Sequence, residues 1–315
     1  MKEPILFYGS PDFAVECLDH LIKSNFNIIG VVTAVDKKSG RGQKLKFSPV
    51  KQFALHHQIP IFQPSNLKSP EFQSSLEKLN PTLHVVVAFR MLPKSVWNFP
   101  DKGTINLHSS LLPDYRGAAP IHWVIINGER YTGVSTFIID EKIDTGKILR
   151  QKKIEISTKE TFGSLYEKLL NEGKVLLEQT IKGHLANQLK AKAQKSIGIT
   201  KKAPKLNPEN TRIDWTKSLK DIQQLIRGLD PIPGAWTYFE NGRQKNLRMK
   251  ILKAETRIFE TDHRPNVFKI EKQRLLITHR DGLLECIQIQ IQGKKAMDSR
   301  SLLNGYRFLD HSKVN

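Results

Sequence analysis

The chain has 315 residues, more than one compact hydrophobic core usually contains, so two domains are expected. Hydrophobic residues make up 39% and charged residues 26%, a globular composition that argues against a largely disordered chain. The net charge of +19 predicts a polyanionic partner, and the absence of a long apolar run argues against a membrane protein. The two cysteines, Cys17 and Cys286, suggest neither a disulfide framework nor a zinc site and fit the reducing cytoplasm.

The first two-thirds of the chain alternates between apolar strands and amphipathic helices. Strands separated by helices form mostly parallel sheets that are covered on both faces, so an α/β domain is predicted. The predicted strands cover residues 4–8, 28–33, 83–88, 104–108 and 133–139, and the predicted helices cover residues 12–23, 49–57 and 161–182.

The composition changes after the last of these helices. Residues 182–205 contain seven lysines and no acidic residue, which predicts an extended basic linker that adds contacts to phosphates. Beyond it, one helix and several short strands predict a small β-barrel. The predicted domains are therefore a catalytic domain at residues 1–185, a linker at 186–206 and a second domain at 207–315.

Polar side chains lie at the end of one predicted strand and shortly after another. Asn106 and His108 share one face at the end of a strand, and Asp144 follows the strand at 133–139. Three such groups from neighbouring strand ends suit acyl transfer to an amine. The amide and a protonated imidazole would stabilise an oxyanion, and the carboxylate would orient the imidazole and accept the proton of the amine. An Asn-x-His alone is equally typical of a strand end with satisfied polar groups.

Longer motifs narrow the interpretation. The sequence has NLHSSLLP at 106–113, YRGAAP at 115–120 and IDEKIDTG at 139–146. It also has FYGSPDFA at 7–14, GRG at 40–42, SPVK at 48–51, RIDW at 212–215 and GKKAM at 293–297. Through these motifs the chain resembles the methionyl-tRNA formyltransferases over nearly its whole length. The resemblance implies a Rossmann-like formyltransferase domain with a mostly parallel sheet, followed by a small OB-like β-barrel.

The resemblance also implies an activity and its residues. The enzyme would transfer the formyl group of 10-formyltetrahydrofolate to the α-amino group of methionyl initiator tRNA, without a metal and as a monomer. Asn106, His108 and Asp144 would be catalytic. The residues expected to bind folate are Ser110, Leu111, Leu112, Pro113, Phe89, Arg90, Met91, Leu92 and Asp140. The segment at 88–93 is one residue shorter than the usual family pattern.

A basic segment at 37–51 follows the second predicted strand and contains no acidic residue. Its glycines predict a flexible loop over the crevice, and its charge suits a polyanion. The resemblance implies that this loop binds the acceptor stem of tRNA. The residues expected to contact tRNA are Lys37, Lys38, Arg41, Lys44 and Lys46. Residues 200–315 add 23 lysines and arginines against 13 acidic residues, an excess that suits binding to phosphates.

Two alternatives remain open from the sequence. A folate-dependent formyltransferase or formyl-donor hydrolase that acts on a small substrate would share the motifs around Asn106, His108 and Asp144. It would not need the basic segment or the basic barrel. A non-catalytic RNA-binding protein of the same fold would not need the three polar side chains.

Overall fold

The computed structural model describes residues 3–39, 43–195, 198–260 and 264–315. Up to residue 185 the elements are β1 (Pro4–Gly9), α1 (Asp12–Lys23), β2 (Asn27–Val32), β3 (Lys37–Ser39), β4 (Lys44–Lys46), α2 (Pro49–His56), β5 (Ile61–Phe62), α3 (Pro70–Leu79), β6 (Leu83–Val87), α4 (Lys94–Trp97), β7 (Thr104–His108), β8 (Arg116–Gly117), α5 (Pro120–Ile126), β9 (Tyr131–Ile138), β10 (Ile148–Glu155) and α6 (Phe162–Leu185). After residue 185 they are β11 (Lys202–Ala203), α7 (Leu219–Leu229), β12 (Ala235–Asn241), β13 (Gln244–Ile258), β14 (Phe268–Glu271), β15 (Arg274–His279), β16 (Gly282–Ile291), β17 (Met297–Asp298), α8 (Ser299–Leu303) and β18 (Lys313–Val314).

These elements form two compact units. The first contains Met1–Gly117, Thr132–Ile154 and Glu167–Lys202, and the second contains Ala118–Tyr131, Glu155–Tyr166 and Ala203–Asn315. The units interleave along the chain, whereas the domains predicted from the sequence are consecutive. Those domain boundaries stay a prediction, because compactness does not test which segments fold independently. None of the helices in the described ranges has the length and apolar content to cross a bilayer.

The first unit is built on a sheet whose strand order is β10-β9-β7-β6-β1-β2-β5. The central pairs, from β5 through β2, β1 and β6 to β7, are parallel. The pair of β7 and β9 is antiparallel. This arrangement confirms the predicted mostly parallel sheet. Strand β6 is buried along its whole length, as expected for a strand covered on both faces.

Local sequence accounts for where helices α2 and α3 begin. The hydroxyl of Ser48 accepts a hydrogen bond from Lys51 N at 3.1 Å, and the hydroxyl of Ser69 accepts one from Phe72 N at 3.3 Å. Both serines are followed by proline at the first position of the helix, so α2 and α3 begin with an N-cap and a preset φ angle. Helix α1 buries an apolar face that includes Cys17, which acts there as a small apolar residue.

The second unit contains an antiparallel sheet in the order β14-β15-β16-β13-β12-β18, with β17 beside β16. Backbone hydrogen bonds from Phe268 N to Ser312 O and from Val314 N to Asn266 O, both 2.9 Å, join the two ends of this order. The strands therefore curl around an apolar core, which also receives helix α7. This closed arrangement confirms the predicted OB-like barrel.

Candidate active site

His108 is the last residue of β7, and its side chain is almost completely buried. Its Nε2 lies 2.9 Å from the carbonyl oxygen of Tyr115. Because a carbonyl oxygen can only accept, Nε2 carries the hydrogen of this bond, and Nδ1 faces a different neighbour. That neighbour is Asp144, whose Oδ2 lies 3.8 Å from Nδ1. The imidazole is thus held between the loop after β7 and the turn after β9.

The carboxylate of Asp144 is positioned by the backbone around it. Its Oδ2 accepts a hydrogen bond from Gly117 N at 2.9 Å. Asp144 has a φ of 55°, a left-handed conformation that residues other than glycine adopt at a cost. The turn is also tight, because a Cβ on Gly146 would lie 1.7 Å from Ile138 O. Contacts from elsewhere in the fold must therefore keep Asp144 in place.

The route by which Asp144 reaches His108 corrects an expectation from the sequence. The two residues were expected to follow neighbouring strand ends, but β9 runs antiparallel to β7, with Ser135 opposite His108. Ile139 N donates to Thr104 O at 2.9 Å, so the end of β9 lies beside the beginning of β7. Residues 139–147 then return the chain to the imidazole. Strand direction depends on pairing partners, and the residues of β9 alone do not reveal it.

Asn106 lies two residues before His108, on the same face of β7. Its side chain is half-buried, and within the described part of the chain its amide has no hydrogen-bond partner. Amides in such positions are normally paired. A half-buried amide donor beside the imidazole is therefore available to a ligand.

Buried hydroxyl and amide groups hold the loop after β7. Ser110 is completely buried, and its Oγ donates to Asp114 O at 2.6 Å. Ser135 Oγ donates to Ser110 O at 2.6 Å and accepts from Leu112 N at 3.1 Å. Gln151 Nε2 donates to Leu112 O and to Ser135 Oγ, both at 2.9 Å. Among the loop residues predicted to bind folate, Ser110 and Leu112 thus have little exposed surface.

Leu111 and Pro113 are the half-buried members of that loop. Ser135 and Gln151, which fix the loop from β9 and β10, were not among the site residues predicted from the sequence. The signal available for Ser135 was a serine inside an apolar strand, since a buried hydroxyl requires a partner. Gln151 gave no such signal, because it lies among exposed polar residues of β10.

The four residues predicted to line the pterin pocket after β6 differ in exposure. Met91 exposes 70% of its surface. Phe89 and Leu92 pack instead against the apolar core beside β1 and β6. The guanidinium of Arg90 donates to the carbonyl oxygens of residues 64–65, at 2.5 and 2.9 Å. Met91 is therefore the side chain of this loop that is most available to a ligand.

Asp140 organises the turn after β9. Its Oδ1 accepts hydrogen bonds from Lys142 N at 3.1 Å and from Thr145 Oγ1 at 2.6 Å. No group of histidine, cysteine and carboxylate side chains that could hold a metal ion occurs among the residues described here.

The basic segment predicted to bind tRNA has more structure than the flexible loop expected from its glycines. Strands β3 and β4 pair as an antiparallel hairpin, with Lys37 directly opposite Lys46. Both of these residues are exposed. Arg41 lies outside the described residues, as do the side chains of Lys38 and Lys44.

The base of this hairpin is anchored by a separate set of contacts. Asp36 accepts hydrogen bonds from Gln63 Nε2 at 2.9 Å and from Lys51 Nζ at 2.5 Å. These two bonds hold the pKa of Asp36 below its ordinary value, and the bond from Gln63 has the larger effect. Lys51 also lies over the ring of Phe47, 4.1 Å from its centroid. Its charge is therefore neutralised within the protein, whereas Lys37 and Lys46 have no acidic partner among the described residues.

Comparison with known proteins gives matches over almost the whole chain. Residues 1–181 match the formyl transferase family model, and residues 205–307 match the model for the formyl transferase C-terminal domain. A methionyl-tRNA formyltransferase of Flavobacterium johnsoniae is 46% identical over 315 residues, which is 99% of each chain. One of Bacteroides thetaiotaomicron is 40% identical and covers 99% of this chain and 98% of its own.

Solved structures share the fold at lower identity. A sugar 3N-formyl transferase, crystallised with dTDP and 5-N-formyl-THF, has a TM-score of 0.64 and 24% identity, and the match covers 94% of this chain and 100% of that one. HypX from Aquifex aeolicus, in complex with tetrahydrofolic acid, has a TM-score of 0.63 and 18% identity over 99% of this chain and 50% of that one. These two likenesses concern the fold alone. The identity over nearly full length and the two domain matches show that this chain belongs to the methionyl-tRNA formyltransferase family.

Proposed function

We propose that this enzyme transfers the formyl group of 10-formyltetrahydrofolate to the α-amino group of methionyl initiator tRNA, giving formylmethionyl-tRNA for translation initiation. The observation that carries the proposal is the arrangement at the end of β7. The imidazole of His108 faces the carboxylate of Asp144 at 3.8 Å. The amide of Asn106, which has no partner among the described residues, lies two residues away on the same face.

Each of the three side chains has a role that its surroundings support. When bound, 10-formyltetrahydrofolate supplies an electrophilic formyl carbon for attack by the amine. Asn106 donates its N–H to the formyl oxygen as negative charge develops there. A protonated His108, whose ring nitrogens face Tyr115 O and Asp144, adds the attraction of its positive charge. Asp144 orients His108 and accepts the proton of the attacking amine, directly or through water. As the bond from the formyl carbon to N10 breaks, N10 takes up a proton and tetrahydrofolate leaves, so no covalent intermediate with the protein is needed.

Apolar side chains around this group fit the flat faces of a heteroaromatic pterin ring. Met91 and Ile143 expose 70% and 61% of their surface, so their apolar side chains are available to such a ring. They lie on two adjacent segments, since Lys94 Nζ is 3.5 Å from Glu141 Oε1. We place folate between the loop after β6, the loop at 110–113 and the turn that contains Asp140.

The hairpin of β3 and β4 supports a nucleic-acid acceptor. Directly opposite residues of an antiparallel pair have their Cβ atoms about 5 Å apart, so Lys37 and Lys46 repel each other. A bound phosphate would remove this repulsion. Arg41 belongs to the same basic segment and would add a further positive charge. A small neutral substrate would gain nothing from either lysine.

A labelled formyl donor tests the proposal. The protein is incubated separately with charged initiator tRNA, with free methionine and with water as the acceptor. We expect label only in formylmethionyl-tRNA. Formylation of the free amino acid, or release of formate at a comparable rate, would instead support the alternative of an enzyme that acts on a small substrate.

We further propose that the enzyme acts in the cytoplasm as a monomer. Both cysteines, Cys17 and Cys286, are buried free thiols, which suits a reducing compartment. Light scattering on the purified protein, with and without tRNA, would test the oligomeric state, and a mass near 36.0 kDa without tRNA is expected.

A further inference from the structure

The segment after α6 has a defined place in the first unit, although its sequence suggested an extended basic linker. Lys192 and Ile148 exchange two backbone hydrogen bonds of 2.8 Å each. Farther along, Tyr115 N donates to Lys201 O at 2.7 Å, and Lys201 N donates to Asp114 Oδ1 at 3.1 Å. The segment is therefore attached both to the first residue of β10 and to the loop after β7.

Gln194 lies between these two attachments and uses both ends of its side-chain amide. Its Oε1 accepts from Arg116 Nη2 at 2.6 Å and from Arg116 Nε at 3.2 Å. Its Nε2 donates to Asp144 O at 2.9 Å and to Gly146 O at 2.8 Å. One half-buried side chain thus connects the two parts of the chain that meet around His108.

We propose that Gln194 is a positioning residue for formyl transfer, which holds the turn of Asp144 against Arg116 so that the carboxylate faces His108. The inference rests on the proposed function. Gln194 does not reach the reacting atoms, and its effect passes through Asp144.

The contacts explain why such a residue is needed. Asp144 has an unfavourable φ of 55°, and its carboxylate depends on Gly117 N, the neighbour of Arg116. Gln194 fixes the carbonyl of Asp144 on one side and the guanidinium of Arg116 on the other. Donor and acceptor of the bond between Gly117 and Asp144 are therefore kept in register by a third segment.

The amide chemistry is specific to this position. The Oε1 atom must accept from a guanidinium, while the Nε2 group must donate to two carbonyl oxygens. Glutamate could still pair with Arg116, but its second oxygen would face the carbonyls of Asp144 and Gly146 without a hydrogen to donate. Alanine would lose all four bonds.

The first test compares Gln194→Ala with Gln188→Ala, a control at an exposed glutamine of the same segment. We expect Gln194→Ala to lower kcat for methionyl-tRNA about 10- to 100-fold, because small displacements of a catalytic group have effects of this size. The KM values for tRNA and folate should change less than about twofold. Gln188→Ala should behave as the unmodified enzyme. An unchanged kcat, or a loss confined to KM for tRNA, would overturn the inference.

A double-mutant cycle separates positioning from general destabilisation. In an Asp144→Asn background, Gln194→Ala should lower kcat less than twofold further, because both changes act on one group. Gln194→Glu should lose activity nearly as much as Gln194→Ala while retaining its pairing with Arg116. Independent, multiplicative effects in the cycle, or full activity of Gln194→Glu, would contradict the inference. Failure of the unmodified enzyme to formylate charged tRNA would instead contradict the proposed function.

Discussion

The side-chain amide of Asn106 is half-buried and unpartnered within the described residues, and it lies beside His108. We expect Asn106→Ala to lower the single-turnover rate of formyl transfer about 100-fold or more, the usual effect of losing one oxyanion donor. Binding of folate should persist. Asn98→Ala, at an exposed position, is the matched control. A rate within a few-fold of the unmodified enzyme would remove Asn106 from the mechanism.

Because His84 is buried in the middle of the sheet, we expect the stability of the protein to depend on pH. His84 is fully buried on β6, and burial lowers its pKa from 6.5 to about 3. The folded protein keeps this histidine neutral where the unfolded chain protonates it, so unfolding becomes more favourable as pH falls below about 6.5. We expect His84 to reduce the free energy of unfolding by roughly 1 kcal/mol per pH unit between pH 6 and 4.

Urea denaturation at several pH values measures this contribution. The variant His84→Gln should have a shallower dependence on pH over that range than the unmodified protein. His56→Gln, at an exposed histidine, should keep the original dependence. Equal slopes for His84→Gln and the unmodified protein would show that His84 is protonated in the folded state.

At the scale of elements, the hairpin of β3 and β4 can be tested by reversing one charge. Lys46→Glu would place a carboxylate opposite Lys37, which removes their repulsion and should leave the free protein at least as stable. The same change should raise KM for methionyl-tRNA about 10-fold, because a phosphate contact is replaced by repulsion. Steady-state kinetics with varied tRNA and with varied folate would show whether the effect is confined to tRNA.

Lys78→Glu is the control for this prediction. It makes the same change of net charge at an exposed residue of α3. If both variants raised KM for tRNA equally, the effect would belong to the total charge of the protein and not to the hairpin.

Most elements could be predicted from the sequence because the apolar periodicity that indicates each of them lies within the element itself. The bounds of α1 and β7 agree with the prediction, and β6 differs by one residue. The hairpin of β3 and β4 could not be recognised, since lysines and glycines carry no strand periodicity and only cross-strand pairing makes it a hairpin. The position of Gln194 could not be predicted either. A lysine-rich composition is typical of a linker, and it does not show which residues the backbone of that linker contacts.

At the scale of the whole molecule, the net charge of +19 predicts strong salt dependence of tRNA binding. With about four phosphate contacts, the affinity for methionyl-tRNA should fall about 100-fold between 50 and 200 mM monovalent salt. The affinity for folate, a small ligand with few charges, should change far less. Filter binding across this range measures both slopes, and parallel slopes for tRNA and folate would argue against an extended phosphate-binding surface.

The sequence by itself determined the α/β domain, the OB-like barrel and the family, and it supplied the polar residues that we propose for the site. These follow from apolar periodicity, from charge and from uninterrupted motifs such as NLHSSLLP at 106–113. The tertiary structure alone decided that β9 runs antiparallel to β7, that Asp144 returns to His108, and that Gln194 lies against the turn of Asp144. The physical reason is that these features depend on hydrogen bonds between residues far apart in the chain, and no local pattern specifies the partners of such bonds.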